Sequence, residues 1–128
     1  MKIYFYKGDL PSSFKATNIG ALDCETMGLN PKRDKLCLVQ ISNGDEICHL
    51  VKIDLTTEKP LNLIKILKNN KIQKIFHYAR FDVAVFKHNF KINIRNMIKK
   101  FFVRINPRTS KFVNIFPFNL GINYFINS

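Results

Sequence analysis

The sequence predicts an α/β domain built on a mixed β-sheet. Three observations support this prediction: short apolar, β-branched runs of strand length, two longer stretches with apolar residues at helical spacing, and the order of these segments along the chain. Apolar residues make up 46% and charged residues 23% of the 128 residues, a composition typical of globular rather than disordered proteins. This length suits one domain with its own core.

Four strands are predicted before the first helix. They cover residues 1–7, 19–24, 36–41 and 46–53. The Asn-Gly pair at 43–44 is a strong signal for a two-residue hairpin turn between the third and fourth strands. If Ser42 pairs with Asp45 across that turn, Val39 lies opposite Cys48.

Two helices and a fifth strand complete the predicted domain. Pro60 precedes an apolar stripe from Leu61 to Leu67, and proline is well suited to the start of a helix. A strand follows over residues 72–76, and residues 79–89 form a second helix with one apolar face. An antiparallel meander that leads into a crossover gives a mixed sheet.

Several classes of protein are excluded by simple counts. The longest apolar run is four residues, whereas a membrane-spanning helix needs about 18 or more, so we expect no membrane partner. Lys7, Gly8 and Asp9 interrupt the N-terminal apolar stretch before a signal-peptide core could form, so we expect a cytoplasmic protein. Three cysteines without C-x-x-C spacing argue against a disulfide framework and a zinc site.

The net charge of +12 has two explanations, which the composition leaves open. A basic surface is what a polyanion-binding domain needs. Ile, Asn, Lys and Phe all have A/T-rich codons, however, so a biased genome would also supply many lysines. The charge is uneven: residues 83–128 contain eight Lys or Arg and no acidic residue.

Asp23 and Glu25 are the first candidate functional residues. They lie two apart at the end of a predicted strand, so both carboxylates project from one face while Cys24 points to the other. Paired carboxylates favour a hard divalent cation such as Mg²⁺ or Mn²⁺. Taken alone, the tripeptide is more typical of an exposed pair of solvated charges.

Asp82 is the third candidate and lies in the first turn of the second predicted helix. The helix dipole favours a carboxylate there, which is sufficient reason for its presence. Because apolar Phe81 and Val83 flank it, Asp82 could turn inward and complete a three-carboxylate cup with Asp23 and Glu25. His77, at the preceding strand end, is by itself typical of a structural histidine.

These residues lie in two segments that resemble known motifs. Leu22–Leu29 and Ile75–Asp82, with the strand over 36–41 between them, look like the first and second exonuclease motifs of ribonuclease D-type 3'-5' exonucleases. That family belongs to the DEDD superfamily and has a ribonuclease H-like, three-layer fold. The resemblance covers residues 1–95 and implies a partial exonuclease domain whose C-terminal part is incomplete.

The resemblance implies a reaction and a set of roles. The reaction is hydrolysis of the terminal phosphodiester at an RNA 3' end by two divalent ions, Mg²⁺ or Mn²⁺. Asp23, Glu25 and Asp82 are implied as catalytic metal ligands. The implied substrate-binding residues are Met27, Gly28, Leu29 and His77. A tRNA-like RNA is favoured over DNA, and the oligomeric state is left open.

The sequence departs from the family after Asp82. The third motif, a Tyr or His four residues before an Asp, is not found: Tyr124 comes nearest, but Ser128 stands four residues after it. A frameshift near residues 96–100 would explain the divergent basic tail over 96–128. Alternatively, the tail is genuine and builds a shortened domain. The composition break favours the frameshift. We therefore expect an impaired exonuclease, with a non-catalytic nucleic-acid-binding module or a decayed gene product as alternatives.

Overall fold

Five strands and two helices form the fold. The computed structural model describes residues 2–76 and 79–97. The elements are β1 (Lys2–Lys7), β2 (Ile19–Thr26), β3 (Leu36–Ser42), β4 (Ile47–Lys52), α1 (Leu61–Lys68), β5 (Gln73–Phe76) and α2 (Ala79–Phe90). Their order and types are those predicted. No helix within the described ranges is both long and apolar enough to cross a bilayer.

The strands form one mixed sheet in the order β1-β4-β3-β2-β5. Strands β2, β3 and β4 form the predicted antiparallel meander. The two outer strands pair in parallel, β1 with β4 at one edge and β5 with β2 at the other. The predicted mixed α/β sheet is thus confirmed, and β2 lies between two neighbours near the centre.

The predicted hairpin register between β3 and β4 is wrong by three residues. Val39 lies opposite Val51, not opposite Cys48. The connection spans residues 43–46 rather than two residues, because the Asn43 side chain bonds Thr17 and Lys15 instead of shaping a tight turn. Two positive φ angles, 82° at Gly44 and 61° at Glu46, close this longer loop.

Both helices pack on the same face of the sheet. One hydrophobic cluster joins strand residues such as Leu22, Val39 and Phe76 to Leu67 of α1 and Phe86 of α2. The cross-strand register places these strand residues on one side of the pleat. The described residues thus supply a sheet and one helical layer. The predicted third layer and nearly all of the predicted tail over 96–128 lie outside the described residues.

The start of α1 is capped from a distance. Pro60 precedes the helix and supplies no side-chain cap. Instead, Asp9 from the loop after β1 accepts the backbone N–H groups of Asn62 at 2.8 Å and Leu63 at 3.0 Å. Because the first N–H groups of a helix lack partners within it, this carboxylate both satisfies them and complements the helix dipole.

Lys74 in β5 is fully buried, although a lysine in a short strand is expected at the surface. Its Nζ donates to the carbonyl oxygens of Asn69 and, at 2.7 Å, Arg95. Burial lowers the pKa of Lys74 to about 8. The side chain therefore connects the segment after α2 to the loop after α1.

Candidate active site

Asp23 and Glu25 occupy the C-terminal end of β2. They pair with Gln40 and Leu38 of β3, and the pleat places both on one face of the sheet, as predicted. The pairing becomes irregular between Glu25 and Thr26, where the strand ends. Both carboxyl side chains are half-buried.

Asp82 is held against the same end of β2. Strand β5 ends at Phe76, opposite Leu22, so it does not reach the N–H group of Cys24. Asp82 Oδ1 accepts that N–H at 3.2 Å and the Cys24 thiol at 2.8 Å. The start of α2 is thereby fixed beside the two carboxylates of β2, and Asp82 is only 1% exposed.

The second oxygen of Asp82 has a different environment. Oδ2 is buried, and no hydrogen-bond donor within residues 2–76 and 79–97 reaches it. Burial, together with the charges of Asp23 and Glu25, raises the pKa of Asp82 to about 7, although the hydrogen bonds from Cys24 lower it. Burial and the Asp23 charge also raise the pKa of Glu25. An unpartnered oxygen among repelling carboxylates is favourable only if a cation or a proton neutralises it.

These residues fit a hard divalent cation in their donor chemistry. Three carboxyl groups supply oxygen ligands, and the buried Oδ2 of Asp82 accepts no hydrogen bond from the part of the chain that the structure describes. Within residues 2–76 and 79–97, however, no three Asp, Glu, His or Cys side chains are already arranged around one point where an ion could bind. Asp82 reaches Cys24, whose side chain faces away from those of Asp23 and Glu25. The predicted cup thus consists of neighbouring carboxyl groups, not a closed ligand set.

Beyond β2, a short loop exposes two large apolar side chains. Met27 is 64% exposed and Leu29 is 90% exposed, both close in sequence to the carboxylates. The Met27 N–H donates to the carbonyl of Lys35 at 2.9 Å, which closes the loop. Exposed apolar side chains at these positions suit contact with a flat ligand group.

Gly28 lies against the Asp34 carboxylate. A Cβ at Gly28 would overlap that group. Asp34 is held in place by the Arg33 guanidinium at 2.7 Å and the Asn30 N–H at 2.9 Å, and the Arg33 bond lowers the pKa of Asp34. The small residue predicted here for nucleotide contact is therefore also required by the internal packing of the loop.

One predicted site residue lies outside the described residues, and one residue that was not predicted contributes to the site. His77, predicted to bind substrate, lies outside the described residues. Cys24 is not among the predicted site residues, yet it donates both hydrogen bonds that fix Asp82. Its position between Asp23 and Glu25 is the one sequence feature that could have indicated this role. Burial and the Asp82 charge raise the pKa of the Cys24 thiol, so it remains a protonated donor.

A family model matches the part of the sequence that contains the site. The model for 3'-5' exonuclease domains matches residues 9–104, a range that includes all three carboxylates and runs past the boundary predicted at residue 95. The chain belongs to the 3'-5' exonuclease family. A search of curated protein sequences gives no significant match.

Solved structures show the same fold. NrnC from Brucella melitensis, crystallised with Mg²⁺, is 43% identical to the chain with a TM-score of 0.70, covering 77% of this chain and 49% of NrnC. NrnC bound to pGG has a TM-score of 0.71. Ribonuclease D from Escherichia coli, an exoribonuclease involved in structured RNA processing, is 25% identical with a TM-score of 0.51, covering 63% of this chain and 21% of that enzyme.

A more distant structure shows the fold alone. The EXD2 exonuclease domain, soaked in Mg and GMP or in Mn and GMP, is 21% identical and covers 63% of this chain and 42% of that domain. These similarities confirm the predicted ribonuclease H-like α/β fold. The exonuclease family member described here spans about half the length of NrnC.

Proposed function

We propose that this chain is a ribonuclease D-type exonuclease domain that removes 3'-terminal nucleotides from RNA with the help of two divalent ions, Mg²⁺ or Mn²⁺. One observation carries the proposal: the buried, unpartnered Oδ2 of Asp82 beside Asp23 and Glu25. The family match over residues 9–104 supports it. The structures of NrnC with Mg²⁺ and with pGG support the choice of cofactor and substrate class.

Each site residue has a distinct role in this proposal. Asp23, Glu25 and Asp82 hold the ions, and Cys24 fixes Asp82 through Oδ1 so that Oδ2 stays available. When bound, the ions supply an activated water and stabilise the leaving oxygen. Met27 and Leu29 offer apolar surface to the terminal base and sugar.

We further propose that the reaction is slow. Residues 83–128 contain no Asp or Glu, so within this sequence no fourth carboxylate follows Asp82. Each tenfold loss of rate corresponds to about 1.4 kcal/mol of transition-state stabilisation, and a missing ligand costs several times that amount. Activity above background with Mn²⁺ is therefore the expected result, at a rate well below that of NrnC measured alongside.

The test uses a single-stranded RNA labelled at its 5' end. The full chain with Mg²⁺ or Mn²⁺ should shorten this RNA stepwise from the 3' end, and Asp23→Asn or Asp82→Asn should abolish the ladder. Asp45→Asn is the matched control, because Asp45 is an exposed carboxylate in the hairpin loop. DNA of the same sequence should be shortened more slowly. A folded protein that leaves the RNA intact, or a ladder that survives Asp23→Asn, would contradict the proposal.

A further inference from the structure

The two helices and the segments around them form a strongly basic part of the molecule. Residues 59–97 contain nine Lys or Arg and a single acidic residue, the buried Asp82. Residues 1–58, by contrast, contain seven Lys or Arg and eight Asp or Glu. An A/T-rich genome would supply lysine along the whole chain, so it does not explain this separation of charge within one domain. A separate basic surface is typical of a site for a polyanion.

Three of these cations come together at the C-terminal end of α1. Lys68 ends the helix, and Lys71 follows in the turn before β5. The segment after α2 packs against this turn, because the N–H group of Arg95 donates to the carbonyl of Leu67 at 3.1 Å. The side chain of the next residue donates to the carbonyl of Asn70 at 3.0 Å. Lys68, Lys71 and Arg95 thus form one group of neighbouring residues, the basic cluster.

The basic cluster combines a fixed backbone with exposed charges. Beneath it, the buried ammonium group of Lys74 donates to the carbonyls of Asn69 and, at 2.7 Å, Arg95, which holds the turn and the segment after α2 together. All three side chains of the cluster are exposed. In the described part of the chain the single ion pair joins Arg33 to Asp34, so no carboxylate there neutralises the cluster within 4 Å.

The basic cluster and the candidate active site lie at opposite ends of the sheet. Strands β2 and β5 are parallel, and Gln73 at the start of β5 pairs with Ile19 at the start of β2. Lys71 lies two residues before Gln73, whereas Glu25 lies at the far end of β2. Six residues separate Ile19 from Glu25, a distance of about 20 Å along a strand. Helix α2 covers a similar length, about 18 Å, from the turn that contains Asp82 back towards the cluster.

We propose that the basic cluster binds the phosphate backbone of an RNA strand whose 3' end lies in the candidate active site. At a spacing of about 3.4 Å per nucleotide in a stacked strand, about six nucleotides span the distance between the two sites. A long strand therefore contacts both sites, and a short one contacts the active site alone. Contacts to phosphates carry no sequence information, so the cluster gives a preference for length and not for sequence. The choice of RNA rests on the proposed function.

The test compares RNA strands of two lengths without cleavage. Fluorescence anisotropy of single-stranded RNA labelled at its 5' end is measured with the full chain in EDTA over a range of salt concentrations. The variant Lys68→Gln/Lys71→Gln/Arg95→Gln should bind a dodecanucleotide about tenfold more weakly. The slope of log affinity against log salt should fall by about 2, as expected for three lost phosphate contacts with a single strand. Affinity for a trinucleotide, which is too short to reach the cluster, should stay unchanged.

A matched variant controls for the change in net charge. Lys7→Gln/Lys15→Gln/Lys59→Gln removes three exposed charges outside the cluster and should change neither the dodecanucleotide affinity nor the salt slope. Circular dichroism melts establish that each variant is folded. If the triple cluster variant is not folded, Lys68→Gln/Lys71→Gln leaves the segment after α2 intact and should show a smaller loss that is again confined to the dodecanucleotide.

Three results would overturn the proposal. They are wild-type affinity of the cluster variant for the dodecanucleotide, an equal loss in the control variant, and an equal loss with the trinucleotide. A polyglutamate peptide of the same charge that binds as tightly as the dodecanucleotide, and loses affinity in the cluster variant, would assign the cluster to an acidic protein instead.

The basic cluster and the proposed catalytic function fail separately. Because the binding measurement contains no metal, it is independent of turnover. If no metal supports RNA shortening but the cluster variant loses affinity for the dodecanucleotide, the catalytic proposal fails and the cluster assignment is supported. If the chain shortens RNA, and the cluster variant shortens the dodecanucleotide as fast as the wild type at low substrate concentration, the cluster assignment fails alone.

Discussion

Asp82 combines two roles that are usually separate. Through Oδ1 it replaces a strand partner for the Cys24 N–H at the point where β5 has ended. Through Oδ2 it presents a buried acceptor that no donor among the described residues reaches. When neutral, the carboxyl group of Asp82 stabilises the junction between β2 and α2. When it is ionised, its buried charge destabilises that junction.

This dual role gives a pH dependence of stability in the absence of divalent metal. The pKa of Asp82 is raised to about 7 in the folded state, whereas an unfolded Asp titrates near 4. Between these values the folded state binds more protons, so the free energy of unfolding should fall as pH rises from about 4 to 7, by on the order of 3 kcal/mol. Urea unfolding in EDTA at several pH values measures this change.

Asp82→Asn is the decisive variant for this prediction. Asparagine keeps an acceptor for Cys24 but carries no charge, so the fall in stability with pH should become much smaller, and the raised pKa of Glu25 contributes to what remains. Asp45→Asn should retain the wild-type slope, since Asp45 is an exposed loop residue. A variant that is as pH-dependent as the wild type would assign the slope to other groups.

Individual site residues were predictable to different degrees. Asp23 and Glu25 follow from strand alternation, and their shared face is confirmed. The inward turn of Asp82 follows from its apolar neighbours. The role of Cys24 depends on its contact with α2, a segment distant in the sequence. Such contacts have no signature in the local sequence.

At the level of elements, boundaries were predicted well and pairings less so. Each strand and helix is marked by its own residues, and its bounds follow from local pattern. The β3–β4 register instead depends on Asn43, whose side chain is used by a distant segment. The same holds for Lys74, which is buried because carbonyls of Asn69 and Arg95 receive its ammonium group. Contacts with other segments therefore determine the β3–β4 register and the burial of Lys74, which the local sequence pattern does not predict.

The remote cap of α1 gives a second prediction. Asp9→Ala should lower the free energy of unfolding by about 1–2 kcal/mol, because the N–H groups of Asn62 and Leu63 lose their acceptor. Asp9→Asn should cost less, since one acceptor oxygen remains. Chemical denaturation measures both values. Glu46→Ala is the surface control and should be nearly neutral, because the Glu46 side chain is exposed in the loop between β3 and β4. An equal effect in the two alanine variants would refute the capping role.

The two faces of the sheet have different structural roles. One face carries both helices and the main core, built from residues such as Leu22 and Phe86. The other carries Asp23 and Glu25. Because successive side chains of a strand alternate between faces, β2 contributes to the core and to the candidate site at once.

Metal binding should therefore stabilise the whole domain. The proposed ligands lie on β2 and α2, so an ion bound there would link the sheet to the helical layer. Mg²⁺ or Mn²⁺ should raise the melting temperature, with about 2.7 kcal/mol expected at 100 times the dissociation constant. Differential scanning fluorimetry with increasing metal measures the shift.

Two variants separate this effect from general ionic stabilisation. Asp23→Asn should abolish the shift, whereas Asp45→Asn should retain it. Sodium at matched ionic strength provides the baseline. An equal shift in Asp23→Asn would place the ion elsewhere on the protein.

The edge position of β1 shapes how the chain reaches this structure during synthesis. Lys2 pairs with Ile47, so β1 is synthesised well before β4 and stays unpaired until β4 is available. Closing so long a loop is slow relative to forming the β2–β3–β4 meander, which makes β1 a late addition. An apolar strand that lacks its pairing partner is prone to aggregation. The lysines at both of its ends, Lys2 and Lys7, are the charged flanking residues that suppress such self-association.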